Sequence, residues 1–165
     1  MTGVLAVACG PPGVGKTTVA EAAADHLGAE LLRTDVVRKD LFTDPTYTDE
    51  EVERTYRELF ERAGELLAGG DSVVLDGTFR RQHQREAAAR LAAERGATFR
   101  LLLVECDPAI ARERIQRREG DASDADVAVY EELREEFEPV ECEHTAIDNS
   151  RSRAASRRQV AAALD

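Results

Sequence analysis

Short runs of apolar residues alternate with amphipathic stretches along the chain. We predict strands at about 4–9, 29–35, 72–77, 99–106 and 142–148. Between two of these runs, apolar residues recur at helical spacing from 52 to 67, and the stripe ends at Gly69 and Gly70. Strands that alternate with helices predict a doubly wound α/β fold, in which helices cover both faces of a five-stranded parallel sheet.

Start and stop signals predict the remaining helices. Pro108 follows Asp107 at an early helical position, where its missing N–H is harmless, and Gly96 ends the helix before it. A turn is predicted over 46–49. The other predicted helices span about 16–28, 81–95, 107 onward and 124–138, and one more lies at the C-terminal end.

A glycine-rich segment joins the first predicted strand to the first helix. Its pattern is Gly-x-x-x-x-Gly-Lys-Thr from Gly10 to Thr17, which is typical of a loop that binds nucleotide phosphates through unpaired backbone N–H groups. Gly13 and Gly15 permit positive φ, Lys16 neutralises the terminal phosphates, and Thr17 contributes a hydroxyl to Mg²⁺. The predicted phosphate-binding residues are Gly10, Gly13, Val14, Gly15, Lys16, Thr17 and Thr18.

The chain is strongly acidic. Its 33 acidic and 22 basic residues give a formal net charge of −11, and only Lys16 and Lys39 are lysines. Such a composition favours a protein from a salt-loving organism, since concentrated salt screens the self-repulsion. An acidic protein from a GC-rich genome is the alternative. The charge argues against a broad nucleic-acid-binding face, although a strand end could enter a local arginine pocket.

The length of 165 residues predicts one domain over 1–165. We expect neither a membrane span nor a secretory leader, because apolar runs are short and the first one is used as a strand. Cys9, Cys106 and Cys142 are odd in number and lack metal-type spacing. Reduced thiols in the cytoplasm are the prediction.

Three polar residues follow the carboxyl ends of predicted strands. Thr17, Asp35 and Asp76 should therefore face one crevice at the edge where parallel sheets bind ligands. Asp35 is our candidate general base, with Arg38 on the same helical face. Asp76 either holds Mg²⁺ through water or orients the acceptor. The alternatives are that Asp35 caps a short helix over 36–41 and that Asp76 is a turn residue.

The sequence separates phosphoryl transfer from two other uses of such a loop. Neither lysine stands in the Asn/Thr-Lys-x-Asp motif of guanine-specific switches. Motor ATPases usually place a glutamate after the residue equivalent to Asp76, whereas Gly77 follows here. The sequence therefore favours the third use, transfer of the γ-phosphoryl group to a bound hydroxyl. Arg38, Arg80 and Arg81 are candidate clamps for the acceptor, each with solvated surface arginine as its alternative.

Arginines also crowd the helix after Pro108. Arg114, Arg117 and Arg118 would close over the transferring phosphoryl group, together with Arg112, as parts of a lid at about 112–125. The alternative is a helix face laced by salt bridges to Glu113 and Glu119.

Four segments together resemble the small P-loop kinases that include zeta toxins, chloramphenicol phosphotransferase and polynucleotide 5′-kinases. They are Gly10–Thr17, Arg33–Lys39, Val73–Arg81 and Asp121–Asp126. The chain is most similar to the AAA-type, kinase-like ATP-binding domain that some bacterial proteins carry behind an aminoglycoside-phosphotransferase-like domain. The resemblance implies a three-layer α/β/α P-loop fold with strand order 2-3-1-4-5 and a helical lid.

The resemblance also implies roles for particular residues. Asp35 and Arg38 match the spacing of the general base and acceptor clamp of polynucleotide kinases, and the lid arginine matches Arg118 or Arg117. The loop after the last strand, around Asn149, would border adenine. The sequence thus predicts a cytoplasmic kinase that uses ATP and Mg²⁺ to phosphorylate a small-molecule hydroxyl. A polynucleotide 5′-hydroxyl kinase and a non-catalytic regulatory ATP-binding module are the alternatives.

Overall fold

The computed structural model describes residues 3–11, 13–118 and 124–165, without the side chains of 118, 124–127 and 129. Strands and helices alternate as the sequence predicts. The strands are β1 (Val4–Cys9), β2 (Glu30–Arg33), β3 (Val73–Asp76), β4 (Thr98–Glu105) and β5 (Thr145–Asp148). The helices are α1 (Lys16–Leu27), α2 (Thr34–Leu41), α3 (Asp49–Ala68), α4 (Gln82–Glu94), α5 (Pro108–Arg118), α6 (Asp124–Glu135) and α7 (Arg153–Leu164).

The five strands form one parallel sheet in the order β2-β3-β1-β4-β5, which confirms the predicted topology. The central strand β1 pairs with β3 and β4, and its Ala8 lies opposite Asp76. On the next strand, Arg33 lies opposite the same aspartate. The carboxyl ends of β1, β2 and β3 therefore meet at one edge of the sheet, where ligands of open α/β sheets bind.

Alternating residues of β1 divide the core into two layers. Leu5 and Val7 pack under α3 and α4, whereas Ala6 and Ala8 pack under α1 and α7. Because successive side chains of a strand point to opposite faces, a central strand buried on both faces is apolar throughout. The predicted three-layer α/β/α arrangement is confirmed.

Several element boundaries differ from the predictions. The second strand does not reach Asp35, since β2 ends at Arg33 and α2 begins at Thr34. The helix that the sequence allows over 36–41 is present but begins two residues earlier, so that Asp35 lies in its first turn and Val37 packs into the core. A carboxylate in that turn is stabilised by the helix dipole.

The predicted turn at 46–49 is shorter than expected, because α3 begins at Asp49 after Thr48 accepts a hydrogen bond from the Glu51 amide. At the other edge of the sheet, α6 ends at Glu135 and β5 begins only at Thr145. The predicted lid at 112–125 is described through the end of α5, whereas residues 119–123 lie outside the described residues.

A buried arginine ties the segment after β3 to the segment after α6. The Arg85 side chain is fully buried and its guanidinium lies 4.6 Å from the centroid of the Phe137 ring. Its donors reach five oxygens at 2.6–3.2 Å: the carbonyls of Phe79, Arg80, Glu138 and Pro139, and Oε1 of Gln82. The flat guanidinium fork satisfies several buried carbonyls at once, which a lysine cannot do.

We therefore expect Arg85→Met to lower the free energy of unfolding by about 3 kcal/mol or more, because the buried carbonyl groups lose their hydrogen-bond donors. Urea unfolding followed by circular dichroism measures this change. Arg90→Met, at an exposed position of the same helix, is the matched control and should shift stability by less than about 0.5 kcal/mol. Equal effects of the two substitutions would contradict the role given to Arg85.

Among the described residues, no helix combines the length and the apolar character that crossing a bilayer requires. The three cysteines are free thiols, and burial in β1 raises the pKa of Cys9 to about 12.

Candidate active site

The glycine-rich loop has the conformation that its sequence predicts. Gly13 and Gly15 have φ values of 85° and 83°, a region that side chains other than glycine rarely adopt. The loop starts beside the end of β3, because the Gly10 amide donates to the Thr78 carbonyl at 3.3 Å. Lys16 Nζ donates to the Pro11 carbonyl at 3.1 Å, so the lysine side chain lies back over the loop.

Thr17 and Asp76 meet as the sequence predicts. The Thr17 hydroxyl donates to Oδ2 of Asp76 at 2.8 Å, and the aspartate side chain is only 7% exposed. A third residue joins them, since Arg33 donates from Nε to the same Oδ2 and from Nη2 to Thr17 Oγ1, both at 3.3 Å. These contacts connect the ends of β2 and β3 to the first turn of α1.

Asp35 and Arg38 lie on one face of α2, as predicted. The Asp35 side chain is 66% exposed and accepts a hydrogen bond of 3.2 Å from Nη1 of Arg38. Arg38 itself is buried, and its guanidinium carbon lies 4.8 Å from the centroid of the Tyr47 ring. The pair thus combines an accessible carboxylate with a buried arginine that packs between α2 and the turn before α3.

The loop after β3 is fixed by aromatic contacts. Phe79 is fully buried with φ of 46°, and its amide donates to the Tyr56 hydroxyl at 2.9 Å. The two rings meet edge to face, with centroids 4.9 Å apart, and burial raises the pKa of Tyr56 to about 12. Tyr56 is therefore a neutral structural acceptor at physiological pH.

The predicted acceptor clamps Arg80 and Arg81 follow this loop. Arg80 pairs with Glu136 at 2.7 Å, and Arg81 lies 3.7 Å from Glu138. Both arginines line a cleft of about 500 Å³ between α3 and α4, which extends from Asp49. Both arginines thus form ion pairs with the segment after α6 and also face the cleft.

Five of the predicted nucleotide-side residues lie around a second cleft, of about 430 Å³, next to the start of α1. Two further arginines, absent from the sequence prediction, complete its wall. The lining residues are Gly15, Thr18, Arg114, Arg117, Asn149, Arg151 and Arg153. Four guanidinium groups give this cleft a strongly positive character, suited to an anion.

Asn149 lies against the glycine-rich loop itself. Its Nδ2 donates to the Val14 carbonyl at 2.8 Å, and its Oδ1 accepts from the Ser156 hydroxyl at 2.6 Å. A Cβ atom at position 15 would collide with Nδ2 of Asn149, so glycine is required there by packing as well as by φ. Asn149 therefore fixes the loop, and its amide is committed to protein partners.

The predicted lid arginines differ in what they contact. Arg114 Nη1 lies 3.6 Å from the Cys106 sulfur, and Arg117 pairs with Glu113 on the same helix. Arg112 pairs with Glu131 at 2.6 Å and so joins α5 to α6. The side chain of Arg118, the predicted catalytic arginine, lies outside the described residues.

Sequence reasoning missed Arg33 and Tyr47. Arg33 precedes Asp35 by two residues. If the second strand is taken to end at Arg33, this residue lies beside Asp76, which ends the neighbouring strand. Tyr47 carries one signal in the sequence, as an aromatic residue in an otherwise polar turn.

The family model described as AAA domain matches residues 5–140, which include the glycine-rich loop and all of β1 to β4 except Val4. The chain belongs to the AAA domain family. Uncharacterized proteins of Mycobacterium tuberculosis and Mycobacterium bovis are each 33% identical to this AAA domain in an alignment of 133 residues that covers 73% of the chain. The chain spans about a quarter, 27%, of the length of these relatives.

Solved structures share the fold of this AAA domain. A sugar kinase from a Janibacter species aligns with a TM-score of 0.74 at 21% identity, covering 100% of this chain and 95% of that one. A gluconokinase from Sinorhizobium meliloti gives 0.73 at 22%, covering 98% and 91%. The Mycobacterium tuberculosis APS kinase, in complex with AMPPNP and APS, gives 0.78 at 18%, covering 99% and 97%. At these identities the likeness shows the P-loop kinase fold.

The turn before α3 supplies a prediction about pH. Desolvation alone would raise the pKa of Glu51, but hydrogen bonds from the Thr46 and Tyr47 amides and the Thr46 hydroxyl hold it below its usual 4.5. Because the pKa of Glu51 is lower in the folded state than in the unfolded state, these hydrogen bonds stabilise the turn fully at pH values above the unfolded-state pKa. This stabilisation is lost as the pH falls through the folded-state pKa. The Tyr47 amide resonance should therefore titrate with a midpoint below 4.5 in ¹⁵N-resolved NMR.

Glu51→Gln removes the charge and should abolish this titration, with faster hydrogen exchange at Tyr47 near neutral pH. Glu53→Gln, at an exposed position one residue beyond Val52, is the control and should leave the titration in place. A midpoint at or above 4.5 in the unsubstituted chain would contradict the anchoring role of Glu51.

Proposed function

We propose that this domain is a kinase that transfers the γ-phosphoryl group of ATP to a hydroxyl group of a small molecule. The observation that carries the proposal is the 2.8 Å hydrogen bond from Thr17 to Asp76. It joins the phosphate-binding loop to a buried carboxylate at the sheet edge where α2 places Asp35. In this proposal the phosphate-binding loop, the Thr17 and Asp76 oxygens that could bind a metal ion, and the accessible carboxylate of Asp35 lie at one edge of the sheet.

The residues present fit Mg²⁺. Thr17 and Asp76 offer hydroxyl and carboxylate oxygens, the donor types that this hard cation prefers, and the hydroxyl proton is directed to the aspartate. In this arrangement Thr17 Oγ1 and Asp76 would hold the ion, directly or through water, in place of the Arg33 guanidinium that donates to both of them. Mg²⁺ held there would neutralise charge on the β- and γ-phosphates.

Positive charge around the loop supports a polyphosphate ligand. Lys16 and the amides of the glycine-rich loop would bind the phosphates, and the arginine-lined cleft beside Gly15 would take the rest of the nucleotide. Arg114 lies close enough to Gly15 that its Nη1 would be 3.8 Å from a Cβ atom there. It is thus the described lid arginine best placed to reach phosphate oxygens.

The chemical step that we propose uses Asp35 as general base. Its exposed carboxylate takes the proton of the acceptor hydroxyl while the hydroxyl oxygen forms a bond to the γ-phosphorus. The bond from that phosphorus to the bridging oxygen breaks, and ADP leaves with the electron pair. Arg38 holds the carboxylate through its 3.2 Å hydrogen bond and positions it for this transfer.

Transfer to an alcohol is favoured over hydrolysis by the residue after Asp76. A Cβ atom at Gly77 would lie 2.7 Å from Cγ2 of Thr34, so the segment has no space for the water-orienting glutamate of motor ATPases. The fold shared with a sugar kinase and a gluconokinase gives further support, since those proteins are named for small-molecule acceptors.

Asp35→Asn tests the role of the base. It keeps the size of the side chain but cannot take a proton, so we expect the transfer rate to fall by about 10²- to 10⁴-fold. The rate is measured with γ-labelled ATP and whichever hydroxyl compound in a panel of sugars, polyols, amino alcohols and nucleosides accepts label. Calorimetry measures ATP affinity, which should change by less than about threefold because Asp35 contacts no phosphate in this scheme.

Asp40→Asn is the matched control, since it removes one carboxylate from the same helix at its salt bridge with Arg62. We expect its transfer rate to stay within about threefold of the unsubstituted chain. A similar rate for the Asp35 and Asp40 variants would rule out Asp35 as the base.

A further inference from the structure

Arg33 lies directly on the oxygen pair that the proposed function gives to Mg²⁺. Its Nε donates to Oδ2 of Asp76 and its Nη2 donates to Oγ1 of Thr17, both at 3.3 Å. The Thr17 hydroxyl donates to the same Oδ2 at 2.8 Å, so the three side chains form a closed triangle. A guanidinium therefore stands where the two oxygens would hold a divalent cation.

The fold brings Arg33 to this position. It is the last residue of β2 and lies opposite Asp76 in the parallel register with β3. All of β3 is buried, and the Asp76 side chain is 7% exposed. A carboxylate withdrawn from water to this extent requires an opposite charge or hydrogen-bond donors, and Arg33 supplies both.

The contacts of Arg33 are nevertheless easy to break. Both of its N–H···O distances exceed the usual range of about 2.7–3.2 Å, and its side chain is 39% exposed. By comparison, Arg85 is fully buried and makes contacts as short as 2.6 Å. Arg33 is therefore held by charge more than by packing, and another cation can displace it.

We propose that Arg33 is a tethered substitute for the metal ion. Its guanidinium occupies the cation position between Thr17 and Asp76 in the nucleotide-free protein and moves to the phosphates when nucleotide and Mg²⁺ bind together. The inference rests on the proposed function, which assigns this oxygen pair to Mg²⁺. Metal binding then depends on nucleotide, so the domain takes up Mg²⁺ with the nucleotide and binds the free ion weakly.

Electrostatics explains this dependence. Arg33 has to leave both oxygens before a divalent ion binds there, because two cations a few ångströms apart repel each other strongly at a partly buried site. In the nucleotide-free protein the guanidinium has to give up its carboxylate partner for water. A nucleotide in the glycine-rich loop would place phosphate oxygens beside Thr17, and guanidinium groups bind phosphates through paired hydrogen bonds. Arg33 then exchanges a carboxylate partner for a phosphate partner and releases the oxygen pair.

Metal titrations of the nucleotide-free protein test whether Arg33 occupies the metal position. Mn²⁺ is the probe, because electron paramagnetic resonance distinguishes the free ion from the bound ion, and Asp76→Asn identifies the site by its loss. Arg33→Met should raise the Mn²⁺ affinity of this site by about tenfold, since the ion no longer competes with a charged donor. An affinity that is unchanged or lower is what a purely structural ion pair predicts, and it would overturn the proposal.

Two control variants accompany Arg33→Met. Arg33→Lys keeps a cation at the end of β2 and should hold the Mn²⁺ affinity within about threefold of that of the unsubstituted protein, since the attraction to Asp76 remains. Arg90→Met removes an arginine from an exposed position of α4 and should change the affinity by less than about twofold, because salt screens distant charges. A rise in Arg90→Met as large as in Arg33→Met would show a general effect of charge and overturn the proposal.

Calorimetry of AMPPNP binding tests the dependence on nucleotide. The ratio of the AMPPNP affinities in saturating Mg²⁺ and in EDTA measures the coupling between nucleotide and metal, which has the same size for either ligand. The affinity of Mg²⁺ for free AMPPNP is common to all variants and cancels when they are compared. The ratio should be about tenfold smaller in Arg33→Met than in the unsubstituted protein, because the variant has no guanidinium to displace from the nucleotide-free site. Equal ratios in the two proteins would overturn the proposal.

Nuclear magnetic resonance follows Arg33 in the unsubstituted protein. The Arg33 Nε–H resonance, assigned by its loss in Arg33→Lys, should shift when Mg²⁺ and AMPPNP are added together. It should stay in place at the same concentration of Mg²⁺ alone. A resonance that does not respond to the two ligands together, or that responds equally to Mg²⁺ alone, would overturn the proposal.

These measurements require neither an acceptor nor phosphoryl transfer. Phosphorylation of a hydroxyl compound, with the Mn²⁺ affinity unchanged in Arg33→Met, would overturn the role of Arg33 and leave the proposed function standing. The predicted coupling without phosphoryl transfer to any compound would support the role of Arg33 and contradict the proposed function.

Discussion

The register between β1 and β3 is the constraint on which the site depends. It sets Ala8 opposite Asp76, so that the aspartate stands beside the loop that follows β1. A slip by one residue would turn that side chain to the other face of the sheet. Two backbone hydrogen bonds beyond the strands extend the register into the loops, from Gly77 to Ala8 and from Gly10 to Thr78. The Thr17–Asp76 contact is a consequence of this alignment.

Arginine side chains make nearly all the contacts of cationic groups that are described around the sheet edge. Arg85 satisfies five buried oxygens, Arg33 bridges Thr17 and Asp76, and Arg38 joins a carboxylate to an aromatic ring. Each task uses the planar, many-donor guanidinium, which binds several partners in fixed directions. Lys16 is one of only two lysines, and it stands where a compact point charge on a flexible stem suits a phosphate. The proposed phosphate contact accounts for a lysine at position 16 but not at position 39.

The sequence predicted the fold because its signals are local. The apolar run before Gly10 and the glycine pattern after it specify a strand, a loop and a helix between Val4 and Leu27, and the order of elements then restricts the topology. The position of Asp76 at a strand end was equally readable. By contrast, the sequence misplaced the end of β2 at Asp35, since Thr34 and Asp35 can either end a strand or begin a helix, and in the structure they begin α2.

Side chains whose roles depend on distant partners were beyond sequence reasoning. Asn149 contacts Val14 and Gly15 across more than 130 positions of the chain, and nothing local indicates that its amide holds the loop. Tyr47 becomes notable only once Glu51 and Arg38 are seen to fix it. Local patterns therefore predicted the glycine-rich loop, whereas the surroundings of Asp35 and Asn149 are built from contacts between separate elements.

The central claim is that this sheet edge delivers a phosphoryl group to an alcohol. Incubation with ATP and the hydroxyl-compound panel in ¹⁸O-labelled water, followed by mass spectrometry of all phosphorylated products, tests it most directly. The account predicts that the γ-phosphoryl group is recovered in a phosphate ester without solvent oxygen, because the acceptor hydroxyl supplies the new P–O bond. Recovery of the group only as inorganic phosphate carrying one solvent oxygen would show hydrolysis and contradict the account.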